Sequence, residues 1–390
     1  MPPPLPAPLS GPLPAPLPGE VLIVFASPKH AERLVAGVPA AARVAREVKL
    51  AELSACKIVA NGAWSPTERL RTEVGRLAPA LQIEFGTVYA DESSPPAGSI
   101  DPVLVLDGTM LPTAAKITEL CDGVMPQEFI GAVVAAADVP LTCARILQGQ
   151  EDALPRLQAA GRAILRATAK PGDGIVSRSI NRPISRAISS TMLRLSGIRP
   201  LHATLATAVL ALAMVAALTS GTRSGQIWGA LLFQAASIVD GVDGEIARAT
   251  FHTSRSGAMI DSVIDALTNL AFVMGLALNL AMQGDVRSAG IGFAGLCVLA
   301  VGLAMIGRIS AQSSAPFTFD VIKDHYRSSS AGPPSRLMRA ATFITSRDFF
   351  ALAFVVMIVA GFAGVILELF ALSALLWLIA VVRAITAPRL

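Results

Sequence analysis

Four aspartates within 26 residues could do chemistry: Asp240 and Asp243, then Asp261 and Asp265. Spacings of three and four put each pair on one face of a helix. Two adjacent antiparallel helices would then aim all four carboxylates into one small volume. Anions gathered in that way repel each other, and burial adds a desolvation cost. Divalent cations answer both problems. A donor set made only of carboxylates suits hard, oxygen-seeking ions such as Mg²⁺ or Mn²⁺. With no His or Cys interleaved, zinc is a poor fit. Gly244, Ala247 and Gly257 are small where two helices and a ligand must approach, and Arg248 is a permanent planar cation suited to a phosphate. Structural ion pairs among Arg248, Arg255 and the aspartates are the plainer reading, disfavoured by the rarity of such groups in spans.

The elements that must position these carboxylates are membrane helices. Of 390 residues, 53% are hydrophobic and 15% charged, against roughly 25% charge in a soluble domain. Mean hydropathy is +0.58, so much of the chain meets something other than water. Cys56, Cys121, Cys143 and Cys297 are too scattered for a disulfide framework and form no C-x-x-C metal pair. A net charge of +4 is too small to argue for nucleic acid as a partner.

Uncharged stretches run 203–222, 224–239, 266–284, 288–307, 349–367 and 369–382. A span needs about 20 apolar residues; the shorter second and sixth cross only if flanking residues sit in the interface. Six spans are expected, in a multi-pass protein of a bacterial cytoplasmic membrane. With the amino-terminal part in the cytosol, Arg248, Arg255, Arg308, Lys323, Arg327, Arg336, Arg339, Arg347, Arg383 and Arg389 lie inside and only Arg223 and Arg287 outside. That agrees with the positive-inside bias. Before the first span, Ile184, Ile188, Met192 and Leu195 share one helical face, with Arg178, Arg182, Arg186 and Arg194 elsewhere around it. Such a helix should lie on an anionic leaflet; the alternative is a linker helix packed on the soluble domain.

The amino-terminal part reads differently. Residues 1–19 hold nine prolines and no charge, the mark of an extended, polyproline-like, disordered tail. Residues 20–168 alternate short apolar runs (21–26, 57–60, 103–107, 132–137), suited to buried parallel strands, with helical stretches such as 29–51, 66–77 and 148–168. The expected order is a tail, an α/β Rossmann-like domain over 20–168, a linker with the amphipathic helix over 169–199, and an all-α transmembrane domain over 200–390.

D-x2-D-G-x2-A-R-x8-G-x3-D-x3-D is also the signature of the CDP-alcohol phosphotransferases. Asp240, Asp243, Gly244, Ala247, Arg248, Gly257, Asp261 and Asp265 match its fixed positions, so the chain resembles that family over about 177–390. The resemblance implies a six-helix membrane fold that passes a phospho-alcohol from a CDP-alcohol to a hydroxyl acceptor and releases CMP. It implies two divalent ions on Asp240, Asp243 and Asp261, with Asp265 a further ligand and general base. Gly244, Ala247, Arg248 and Gly257 would line the CDP-alcohol pocket, and a homodimer is common in the family. Many members carry Pro-Asn-x-Val/Ile-Thr before the first span; only Pro200 and Thr204 are kept here. His202 could substitute or be an ordinary interfacial histidine. Arg308, Lys323 and Arg327 are candidates for an acceptor phosphate, or simply topology-setting charges.

The junction 170–185 looks like that of bifunctional enzymes fusing a sugar- or inositol-phosphate cytidylyltransferase to a phosphotransferase. Ala36-Gly-Val-Pro39 and Val105-Leu-Asp-Gly108 resemble parts of a nucleotidyltransferase. Such enzymes follow their first strand with a Gly-rich loop whose N–H groups hold a triphosphate; here Ser27-Pro-Lys-His30 stands instead. Lys29 and Asp107 read as remnants of a phosphate and a metal site in a degenerate domain. The acceptor is expected to be a lipid or a phosphorylated polyol such as inositol phosphate, with membrane lipids as surroundings. Three alternatives remain: a domain that also makes the CDP-alcohol, a non-enzymatic cation-binding or transport protein, and a pseudoenzyme scaffold.

Overall fold

The structure is a computed structural model that describes residues 18, 20–88, 102–124, 127–169, 174–195, 197–311 and 347–386. All but Pro18 of the Pro-rich tail lies outside them, as do Lys323, Arg327 and residues 170–173 of the junction. Two compact units are present: Met1–Ala167 with Leu193–Ser196 and Ala249–Phe251, and Thr168–Met192 with Gly197–Arg248 and His252–Leu390.

The first unit is built on a mixed sheet. Its strands are β1 (Glu20–Phe25), β4 (Ala55–Ala60), β5 (Gln82–Thr87), β6 (Val103–Asp107) and β7 (Gly131–Val134), in the order β5-β4-β1-β6-β7. β1 lies parallel to β4 and β6, and β4 to β5. Val21, Ile23 and Phe25 face one apolar cluster, Leu22 and Val24 the other, so both faces of the central strand are buried. That explains its unbroken apolar run.

Three expectations need correction. β7 runs antiparallel to β6; an apolar run encodes burial and says nothing about direction. β5 was not expected, because Gln82 and Glu84 on this half-exposed edge interrupt the run that marks a buried strand. The stretch 29–51 is not one helix: after the turn α1 (Pro28–Ala31), a hairpin of β2 (Leu34–Val35) and β3 (Val38–Pro39) precedes α2 (Ala40–Leu50). Gly37, at φ +86°, makes the reversal that helical spacing concealed. Helices α3 (Glu68–Leu77), α4 (Ala114–Cys121), α5 (Val139–Gln148) and α6 (Ala153–Ala167) complete the unit.

The second unit is helical. A π-helical turn over Ser177–Asn181 leads into α7 (Arg182–Met192). Then come α8 (Pro200–Leu218), α9 (Arg223–Thr250), α10 (Arg255–Met282), α11 (Val286–Ala311), α12 (Arg347–Ala360) and α13 (Ala363–Thr386). Among the described residues, four helices rather than six are long and apolar enough to cross a membrane: 200–218, 255–282, 286–306 and 363–383. α9 is long, but Gln226, Gln234, Asp240, Asp243, Glu245 and Arg248 dilute its hydropathy. α12, with 14 residues, reaches about 21 Å, short of a core about 30 Å thick.

Phe233 of α9 stacks on Phe272 of α10 with centroids 4.4 Å apart, and Phe354 of α12 lies 5.5 Å from Phe272. This aromatic core joins the two helices that carry the aspartates. Helix ends are satisfied by side chains. Buried Asn279 donates to the carbonyls of Leu218 and Thr222, and Arg223 donates to those of Ile358 and Val359, close to the end of α12, where a cation also meets the negative pole of the dipole. α11 and α13 pack closely because a Cβ at Gly295 would lie 2.8 Å from Ala371 Cα.

Candidate active site

α9 and α10 bring the two halves of the aspartate motif together. At the end of α9, Phe251 adopts φ +58° and the His252 N–H donates to the Ala247 carbonyl at 2.9 Å, a left-handed cap that turns the chain. Ser254 then caps α10, its hydroxyl accepting from the Gly257 N–H at 3.0 Å. A Cβ at Gly257 would lie 2.8 Å from that hydroxyl oxygen, so Gly257 permits the cap. Ala247 supplies the carbonyl that closes α9.

The four carboxylates meet in pairs. Asp243 and Asp261 come within side-chain reach of each other, and Thr204 Oγ1 of α8 lies 3.0 Å from Asp243 Oδ2. Asp240 and Asp265 are joined through Arg347, the first residue of α12. Its Nη1 forms an ion pair with Asp265 Oδ1 and lies 3.3 Å from Asp240 Oδ1. The Arg347 guanidinium also sits over Phe233, 5.9 Å from the ring centroid, so the aromatic core supports it from below.

Among the described residues, no three His, Cys, Asp or Glu side chains gather closely enough to hold one metal ion in this arrangement. The donor chemistry nevertheless fits a hard divalent cation. Two carboxyl groups come side by side, and a guanidinium lies between the other two. Both features mark places where four acidic groups need positive charge. Asp240, Asp243, Asp261 and Asp265 are the residues that would hold the ions.

Arg248 reaches back along its own helix. Its Nε donates to the Thr168 carbonyl at 2.9 Å, and a Cβ at Gly244 would stand 2.9 Å from its Nη1. Gly244 therefore leaves room for the guanidinium one turn on. His202 caps α8: its Nδ1 accepts from the Arg199 N–H at 3.0 Å, and the ring is exposed. Arg308 is exposed near the end of α11. Sequence reading gave Arg347 only a topological role and passed over Glu245, which is buried in the motif helix. Only the tertiary fold brings a residue 82 positions further along the chain to Asp265.

In the first unit, Asp107 sits at the carboxyl end of β6. Its Oδ1 accepts from the Thr109 N–H at 2.8 Å, the Thr109 hydroxyl at 2.7 Å and Gln150 Nε2 at 2.7 Å. Arg156 lies 3.7 Å from its other oxygen. Burial pushes the Asp107 carboxyl up from its ordinary range, and the Thr109 and Gln150 hydrogen bonds and the charge of Arg156 oppose that shift. Gln150 also accepts from the Ala26 N–H and donates to the Val24 carbonyl. The backbone donor just beyond β1 is thus taken by a side chain of the same unit.

Comparison with known proteins finds its family match in the helical unit. Residues 198–386 match CDP-alcohol phosphatidyltransferase. The chain is 32% identical over 165 residues to the bifunctional IPC transferase and DIPP synthase of Thermococcus kodakarensis, which is 42% of this chain and 37% of that protein. The proteins of the same name from Archaeoglobus fulgidus and Aquifex aeolicus are 38% identical over 121 residues and 36% over 116. The matches cover 23% and 25% of those two proteins, so this chain spans well under half the length of each of the three relatives.

Proposed function

Because the carboxyl-terminal half of the chain is a CDP-alcohol phosphatidyltransferase domain, we propose that the protein transfers the phospho-alcohol of a CDP-alcohol to an acceptor hydroxyl and releases CMP. The observation that carries this reading is the pairing of Asp240 with Asp265 and of Asp243 with Asp261 across α9 and α10. Two Mg²⁺ or Mn²⁺ ions held by these four side chains would supply charge neutralisation on the pyrophosphate. Asp265 takes the proton of the acceptor hydroxyl as general base. Thr204 orients Asp243. We read α8 to α13 as a six-helix membrane domain in which the less apolar α9 and the short α12 cross only with flanking residues in the interface.

The names of these relatives favour a phosphorylated polyol, of the inositol phosphate kind, as acceptor. The same names favour a bifunctional chain whose first unit also makes the CDP-alcohol. Against that second activity stands Gln150, which occupies both Asp107 and the Ala26 N–H where a nucleotidyltransferase would engage its nucleotide. We therefore read residues 20–168 as a nucleotidyltransferase-like domain without that activity.

The test is CMP release from a panel of CDP-alcohols by the full chain in lipid, with Mg²⁺ or Mn²⁺. Asp265→Asn removes the general base and should lower turnover by about 10² or more; Asp261→Asn should abolish it, with both variants still membrane-inserted. Wild-type turnover in both variants would remove the mechanism.

A further inference from the structure

Within the motif Asp240-Gly-Val-Asp-Gly-Glu245, two positions that the signature leaves free face a different element. Glu245 is 1% exposed and accepts three hydrogen bonds from α7. Arg182 Nη1 and Ser185 Oγ donate to Oε1 at 3.1 and 2.7 Å, and Ser189 Oγ donates to Oε2 at 2.7 Å. One turn earlier, a Cβ on Gly241 would lie 3.3 Å from Arg182 Nη1 and 3.6 Å from Ser185 Cβ. Gly241 and Glu245 are therefore the seam of α9 against α7. The seam continues through Asn181, which donates to Asp348 Oδ1 at 2.7 Å and accepts from Gln234 Nε2 at 2.9 Å. Ser237 of α9 donates to the same Asp348 oxygen at 3.1 Å. Asp348 is the neighbour of Arg347.

The opposite face of α7 and of the π-helical turn before it is aliphatic and open, with Ile180 38% and Ile184 44% exposed. α7 thus buries a polar stripe at 182, 185 and 189 and presents its apolar face outward. A helix held only by apolar packing can slide and rotate at little cost. A buried carboxylate with three fixed donors cannot, because any turn leaves charge unpaired in a dry place. Glu245 lies roughly 200° around α9 from Asp243 and 140° from Asp240. The cluster therefore grips α9 from behind its metal-facing side.

We infer that Glu245, with Arg182 as its partner, is a positioning residue: it fixes the rotation of α9 on α7 and so holds Asp240 and Asp243 toward α10 for metal binding. This rests on the transfer site proposed above.

The test uses the full chain in lipid nanodiscs, wild type against Glu245→Gln, Glu245→Leu and Ser189→Ala. Mn²⁺ binding is read by electron paramagnetic resonance without substrate, thermal unfolding alongside, and kcat and KM for the CDP-alcohol at saturating metal. The expected result is Mn²⁺ affinity weakened about three- to tenfold in Glu245→Gln and more in Glu245→Leu, with KM for the CDP-alcohol nearly unchanged. Should Glu245→Leu fail to fold, Glu245→Gln and Ser189→Ala decide. Folded variants that lose thermal stability yet bind Mn²⁺ as wild type would overturn the inference, since a purely structural contact behaves that way. Asp261→Asn separates the two layers: retained Mn²⁺ binding and turnover there would sink the transfer site itself, whatever Glu245 does.

Discussion

At the scale of single residues, the site is a problem of charge. Asp240 and Asp265 share Arg347, and Asp243 and Asp261 lie side by side. Arg347 is largely buried, its side chain 13% exposed, yet it begins a helix and can swing on its long stem. A divalent ion entering between Asp240 and Asp265 must displace that guanidinium. Arg347→Gln removes the competitor, and an ion pair worth about 1 kcal/mol corresponds to a Mn²⁺ dissociation constant about five times lower. Titration of the substrate-free protein with Mn²⁺ measures it; weaker binding would show that Arg347 organises the carboxylates instead of competing for them. Of these residues, the aspartates were legible in the sequence because their spacing follows the helix period. Arg347 was not, since a long intervening segment separates it from them and only packing brings α12 to the site.

At the scale of elements, α7 decides how the site meets the membrane. The sequence marks Ile184, Ile188, Met192 and Leu195 as one face and the arginines as the rest. The structure divides the helix further: Arg182, with Ser185 and Ser189, turns inward to Glu245, while Ile184 stays exposed, and Leu195 lies beyond the helix end at Met192. An open aliphatic face beside membrane helices belongs in the interfacial region of a bilayer. Ile184→Trp should therefore show blue-shifted emission over the background of the native tryptophans, with quenching by brominated acyl chains. Solvent-like, unquenched emission would mean that α7 packs away from lipid. The inward role of Arg182 was hidden because an arginine on an amphipathic helix reads by default as solvated, and its partner Glu245 lies 63 residues away.

At the scale of the whole molecule, an α/β unit and a helical membrane unit share one chain. The first unit is a mixed α/β sheet domain in which Asp107 and the Ala26 N–H are engaged by Gln150 and Thr109. The expected outcome is that the full chain, given CTP, Mg²⁺ and a phosphorylated polyol, releases no pyrophosphate while still releasing CMP from a ready-made CDP-alcohol. Pyrophosphate formation would establish the bifunctional reading.

The sequence by itself determined the motif, the apolar helices that carry it, the change from an α/β half to a helical half, and the hard-ion character of the donors. These follow from local rules: helical spacing, apolar runs and side-chain chemistry. Tertiary structure alone decided the direction of β7, the edge strand β5, the pairing of Asp240 with Asp265 through Arg347, the closure of Asp107 by Gln150, and the hold of α7 on Glu245. Each depends on groups far apart in the chain, and neither periodicity nor composition records which distant partner a charge will meet.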